Sequence, residues 1–142
     1  AGTVLDVAAV DRLAQIGAKM VVSPDTNPAV IAATKAQGML SYPGAFTATE
    51  CLTAVRHGAD GLKLFPAFKL GVDGYKALAA VLPKSVETFA VGGVGPADFA
   101  AWQAAGITGV GLGSHLFKPD YDATKVGHLA KDCVTEYDAA FG

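Results

Sequence analysis

The sequence predicts an α/β protein, a (β/α)8 barrel here lacking about its first two strand-helix units, and three observations carry that prediction. Short apolar runs alternate with Ala-rich helical patterns along the whole chain, at intervals of roughly 20 residues. Most of the helical patterns end on a glycine, at Gly17, Gly38, Gly58 and Gly106, which suits a left-handed C-cap. The 142 residues hold six such units, whereas a closed eight-unit barrel needs at least about 200 residues. Because the C-terminal end closes on an amphipathic helical pattern, the deficit is assigned to the front. A complete six-unit open sheet is the alternative architecture.

Taken in order, Thr3-Val4-Leu5 reads as a first strand that begins with no initiator Met and no polar leader. A helical pattern over 10–16 follows. The β-branched pair in 20–23 marks the second strand, and Pro28 at the first helical position opens 28–37. Residues 39–42 form the third strand. Thr47-Ala48-Thr49-Glu50 has capping-box spacing and opens the helix 49–57. The remaining strands are 61–65, 88–91 and 109–113, interleaved with helical patterns over 74–82, 97–105 and 123–137.

Composition narrows the function classes. With 51% hydrophobic residues and a mean hydropathy of +0.36, the chain can bury enough apolar surface to fold, as one domain spanning 1–142. Eleven Lys and Arg against thirteen Asp and Glu give a net charge of -2 without a basic cluster. That distribution argues against a nucleic-acid partner, so any anion site must be local. Lys, Asp, Gly or Pro interrupts every apolar stretch before the roughly 18 residues of a membrane span. Cys51 and Cys133 lie far apart with no secretory signal, which points to the cytoplasm and to small buried apolar roles rather than a disulfide.

Lys63 is the outstanding chemical residue. In Gly61-Leu62-Lys63-Leu64-Phe65-Pro66, period-two alternation puts Leu62 and Leu64 toward the helices and Gly61, Lys63 and Phe65 toward the barrel interior. Desolvation lowers a lysine pKa, and a neutral amine is a nucleophile that forms a Schiff base with a carbonyl. Two glycine-rich strand ends follow, Val91-Gly92-Gly93-Val94-Gly95-Pro96 and Gly111-Leu112-Gly113-Ser114. With two units missing these end strands seven and eight, where barrels bind phosphate on backbone N–H groups. Ser114 adds a hydroxyl donor. Glu50 is read as a helix cap, and Asp6, Asp25, Asp60, Glu87 and Glu136 as loop or surface carboxylates, so the residues name no general base. His57 sits at a helix end, and His115 and His128 lack metal-ligand spacing with either cysteine; no metal and no cofactor are expected. Tyr42, Phe46 and Trp102 are read as core or pocket wall. From the residues alone, a phosphate-binding barrel isomerase or epimerase and a non-catalytic fragment stay open.

The blocks Ala1 to Leu5, Val22-Ser23-Pro24, Tyr42-Pro43-Gly44, Thr47 to Glu50, Gly61 to Pro66, Val91 to Val94 and Gly113-Ser114 together resemble the 2-keto-3-deoxy-6-phosphogluconate and 6-phosphogalactonate aldolases. The resemblance runs the length of the chain. It implies a class I aldolase that cleaves a phosphorylated keto acid to pyruvate and glyceraldehyde 3-phosphate, with Lys63 as Schiff-base lysine. It implies pyruvate-pocket roles for Thr3, Pro24 and Phe65, a phosphate cradle of Gly92, Gly93, Gly113 and Ser114, and a homo-oligomer, as trimers are common in the family. Val91 stands where galactonate-type members carry Val and gluconate-type members Thr, so the galactonate type is favoured. The family's proton-shuttling glutamate and a substrate-binding arginine lie in a front segment that has no counterpart in these 142 residues, so turnover is expected of an intact parent and not of this chain alone.

Overall fold

The computed structural model describes Ala1–Gly142. Strand order decides the architecture. The strands β1 (Met20–Val22), β2 (Leu40–Tyr42), β3 (Gly44–Ala45), β4 (Gly61–Leu64), β5 (Glu87–Val91) and β6 (Gly109–Gly111) pair in parallel, as β1 with β2 and as a β3-β4-β5-β6 ladder. Pro43 interrupts a single array here, because a proline has no N–H to donate. Its carbonyl still accepts from Lys63 N at 2.9 Å, and Asp60 N donates to Ser41 O at 3.0 Å, so β2 lies against β4 across the break. The strands therefore lie side by side in chain order. A doubly wound sheet reverses at a switch point, whereas a barrel winds in one sense. The array has barrel winding.

Helices α1 (Val7–Gln15), α2 (Pro28–Ala36), α3 (Ala48–Arg56), α4 (Ala67–Ala79), α5 (Phe99–Ala104) and α6 (Ala123–Phe141) connect and close these strands. Asp6 accepts from Ala9 N at 2.7 Å, Asn27 from Ala29 N at 3.0 Å, Thr47 Oγ1 from Glu50 N at 3.3 Å and Asp122 from Lys125 N at 2.7 Å, so four helices start on side-chain caps. The four glycines expected as C-caps have φ between 69° and 93°.

Period-two alternation sorts the strand residues. Leu62, Leu64 and Ala90 are fully buried in one cluster with Ile31 of α2, Cys51 of α3, Ala67 of α4 and Phe99 and Trp102 of α5. Each such leucine contributes about 1.5–3 kcal/mol by leaving water. Tyr42, Lys63, Phe89 and Val91 alternate with them onto the opposite face and are half-buried, with Tyr42 edge-on to Phe89 at 5.4 Å between centroids. Glycines on this face keep room for those side chains: a Cβ on Gly111 would lie 2.7 Å from Val91, and one on Gly61 2.8 Å from Tyr42. A smaller cluster of Val4, Val10, Val21, Val30 and Met39 fills the space under α1 and α2.

Several expectations need correction. Residues 3–5 are not a strand: Ala1 pairs beside β1, donating to Met20 O at 2.8 Å and accepting from Val22 N at 2.8 Å, but Thr3 adopts φ 57° and bulges the chain out of register. Strand 109–113 stops at Gly111, and β3 after Pro43 was not anticipated. The helix expected over 74–82 begins at Ala67, its first turns masked by Gly71, which breaks the helical backbone at φ 67°. The last helix runs on to Phe141, whose ring stacks on Tyr137 at 4.4 Å while Tyr137 meets Phe99 edge-on. Phe46 is 39% exposed and so lies outside the core, and it does not line the cavity at the strand ends.

Candidate active site

The C-terminal ends of the strands open into a cavity of about 790 Å³. Thr3, Pro24, Lys63, Phe65, Val91, Gly92, Gly93, Gly113 and Ser114, the nine residues singled out from the sequence, all line it. They arrive from separate places: the bulged first segment, the loop after β1, β4 and its exit, and the turns after β5 and β6. Barrel winding brings those ends to one rim.

Lys63 stands in the middle of β4, registered against Gly44 on one side and Phe89 on the other. Its neighbours in sequence, Leu62 and Leu64, point into the core, so its side chain must rise on the cavity face. No carboxylate pairs with it: the one ion pair in the chain joins Lys35 and Asp60 at 2.6 Å, and Asp60 Oδ2 is further engaged by Ser41 N. Desolvation holds the Lys63 amine below the ordinary lysine range. The Phe65 ring, 4.5 Å from Nζ, favours the cation, but burial prevails. An unpaired, partly desolvated amine beside an open cavity is able to attack a carbonyl.

The other end of the cavity is backbone. Gly92 and Gly93 take φ 92° and 70°, where glycine carries no steric cost. Crowding also requires glycine: a Cβ at Gly93 would lie 2.7 Å from Phe68 Cβ, and one at Gly92 3.0 Å from the Phe65 ring. Phe68 N donates to Gly92 O at 3.0 Å, tying the start of α4 to this turn. After β6, a turn closed by Leu116 N and Phe117 N, both donating to Gly113 O, presents Gly113 and Ser114. The N–H groups of Gly92, Gly93, Gly113 and Ser114 make no hydrogen bond within the chain, leaving four donors free for an anion.

Glu50 is fully committed to its cap. Its Oε2 accepts from Phe46 N at 2.9 Å, Thr47 N at 2.8 Å and Thr47 Oγ1 at 2.9 Å, while Glu50 N donates back to Thr47 Oγ1 at 3.3 Å. The bond from Phe46 N does most to hold its carboxyl below the usual range. Cys51 and Cys133 are buried free thiols, with burial pushing Cys51 up to about 11. Trp102 is core. Three polar residues on the cavity wall went unassigned in the sequence: Asp98, His115 and Lys118. Asp98 Oδ2 accepts from Gly95 N at 2.9 Å, which commits it to the turn before α5.

Comparison with known proteins adds the family. Over 142 residues the chain is 49% identical to a Rhizobium meliloti (strain 1021) protein named probable 2-dehydro-3-deoxy-6-phosphogalactonate aldolase, covering 100% of this chain and 67% of the relative. It is 42% identical over 140 residues to the 2-dehydro-3-deoxy-6-phosphogalactonate aldolase of Escherichia coli (strain K12), covering 99% of this chain and 68% of that one. The chain thus spans about two thirds of the length of these relatives. A solved structure described as native KDPGal superposes with a TM-score of 0.96 at 42% identity, covering 98% of this chain and 68% of that chain. A designed porous cage built by fusing symmetric oligomeric domains superposes equally well, with 98% of this chain and 52% of that chain covered. The family model for KDPG and KHG aldolase matches residues 1–130, and the chain belongs to that aldolase family of lyases.

Proposed function

We propose that this chain carries the imine-forming and phosphate-binding part of a class I aldolase site for 2-dehydro-3-deoxy-6-phosphogalactonate. One observation carries the reading: an unpaired, partly desolvated lysine shares a cavity with four uncommitted backbone donors on the next two strand ends.

The Lys63 amine adds to the C2 ketone of the keto acid, and loss of water gives a protonated imine. A base takes the proton from the C4 hydroxyl; the C3–C4 bond breaks, its electron pair moves into the imine, and glyceraldehyde 3-phosphate leaves. The enamine left on Lys63 takes a proton at C3, and water hydrolyses the resulting imine to pyruvate and free amine. Thr3, Pro24 and Phe65 wall the pyruvate moiety. The amides of Gly92, Gly93 and Gly113, with the amide and hydroxyl of Ser114, hold the terminal phosphate, whose binding energy orients the reacting bond. Asp98 is the one carboxylate on the cavity wall and is committed to Gly95 N, so the cavity residues of this chain supply no free carboxylate base. Val91 pairs with Gly111 and lines the cavity, and the family resemblance, in which galactonate-type members carry Val at this position, is what favours the galactonate configuration at C4. The names of the two relatives support that choice over 2-dehydro-3-deoxy-6-phosphogluconate. Assembly as a homo-oligomer, a trimer, follows the family resemblance.

Borohydride reduction in the presence of pyruvate tests the reading. Peptide mapping is expected to find a single reduced adduct, on Lys63. No adduct, or one at another lysine, would overturn it in favour of a phosphate-binding isomerase site.

A further inference from the structure

We infer that Lys118 supplies the phosphate group's counter-charge, completing a cradle that is otherwise neutral. This inference rests on the function proposed above for the cavity and assigns a further binding residue to it. Gly92, Gly93, Gly113 and Ser114 offer dipoles but no net charge. A phosphate monoester carries nearly two negative charges near neutral pH, and the chain as a whole is acidic, at -2. A dianion held by amides alone would face that field without a cation.

Lys118 is placed to supply one. The turn that presents Gly113 and Ser114 folds back through the two hydrogen bonds onto Gly113 O, which brings Lys118 to the wall of the same cavity. No carboxylate neutralises it, since the one ion pair in the chain is Lys35 with Asp60. The single carboxylate on the cavity wall, Asp98, is held by Gly95 N. Tyr121, three residues on, receives two cations: Lys118 Nζ lies 5.8 Å from the ring centroid and Lys125 Nζ 3.9 Å. Two ammonium groups converge on one ring; Asp120 and Asp122 flank that ring in sequence, yet neither forms an ion pair with Lys118, whose charge stays available to a bound phosphate. Lys63 is the wrong partner, because its amine must be neutral to attack the ketone. The two lysines divide the labour: one loses its proton and forms a bond, the other keeps it and holds charge.

The probe is glycerol 3-phosphate, titrated calorimetrically into the wild-type chain, Lys118→Ala and Lys118→Arg, with thermal melts to show that the variants fold. Lys118→Ala is expected to weaken binding about fivefold, and Lys118→Arg to restore it. Added salt should weaken the wild type more steeply than the alanine variant. Unchanged affinity in Lys118→Ala, or equal weakening in alanine and arginine variants, would overturn the inference, the latter because shape and not charge would then be read. Failure of the pyruvate trap at Lys63 would sink the aldolase reading and leave this titration interpretable, so the two failures are distinguishable.

Discussion

At one end of the cavity Lys63 stands on a four-residue strand whose flanking leucines are fully buried; at the other, Gly113 and Ser114 sit on an exposed turn held by two hydrogen bonds to one carbonyl. The reactive end depends on a side chain, aimed by the pleat and fixed by a ladder on both sides. The binding end depends on backbone amides, aimed by turns whose side chains are mostly absent. Substitution should therefore act differently at the two: at the strand it removes the chemistry and spares the fold, and at the turns it acts through backbone conformation.

Lys63→Met is the largest test of that division. It is expected to abolish the pyruvate adduct and reduce turnover on the order of 10⁴-fold, while the glycine turns still bind glycerol 3-phosphate. Loss of both functions together would show that the two ends are one cooperative unit. The same variant has a stability signature. The unfolded lysine titrates at its ordinary value of 10.5, whereas the folded one titrates lower. Between the two the unfolded chain binds more protons, so wild-type stability rises with pH across that window. Below it the desolvated ammonium costs its full penalty. Lys63→Met should accordingly melt higher than the wild type at pH 7, with the gap narrowing as pH rises toward 10.5. A constant gap would contradict desolvation as the cause.

Two glycines of the cradle sharpen the other side of the comparison. Gly93 has φ 70° and its missing Cβ would press on Phe68 at 2.7 Å, whereas Gly113 has no atom within 4 Å of that position. Gly93→Ala should destabilise by about 1–3 kcal/mol, from the left-handed backbone and the clash together. Gly113→Ala should stay within about 0.5 kcal/mol. Urea melts of both variants separate a turn held by conformation from one merely open to the cavity, and equal costs would dissolve the distinction.

The same contrast explains how much could be read from the chain. The Lys63 strand was legible because alternation is local: Leu62 and Leu64 fix which way their neighbour points, whatever surrounds them. The Thr47 and Glu50 box and the C-cap glycines were legible for the same reason. Thr3 misled because its positive φ obeys the docking of the first segment on β1, which no local signal carries. Gly71 hid the start of α4 by breaking the backbone of a helical stretch that resumes beyond it. Asp98, His115 and Lys118 stayed unassigned because their place on the cavity wall follows from turns after β5 and β6 that carry no periodicity. Their only sequence signal was proximity to the glycine-rich strand ends.

Glu50 gives a small effect and the cleanest control. It begins α3, directly after β3, at the same end of the array as Lys63, and a carboxylate in that position invites a catalytic role. Its Oε2 already accepts from three donors, and those bonds hold its carboxyl below the ordinary value of 4.5. A depressed carboxyl contributes stability above its unfolded pKa and loses it as pH falls through the folded one. Glu50→Ala should cost about 0.5–1 kcal/mol at pH 7, and the cost should fade below about pH 4 as the wild-type carboxyl takes up its proton. The pH dependence of borohydride trapping should keep its midpoint in this variant, because the amine that sets it owes its shift to burial and not to Glu50. A displaced midpoint would mean that the cap and the amine share a field, and the boundary between scaffold and chemistry would have to be redrawn to include α3.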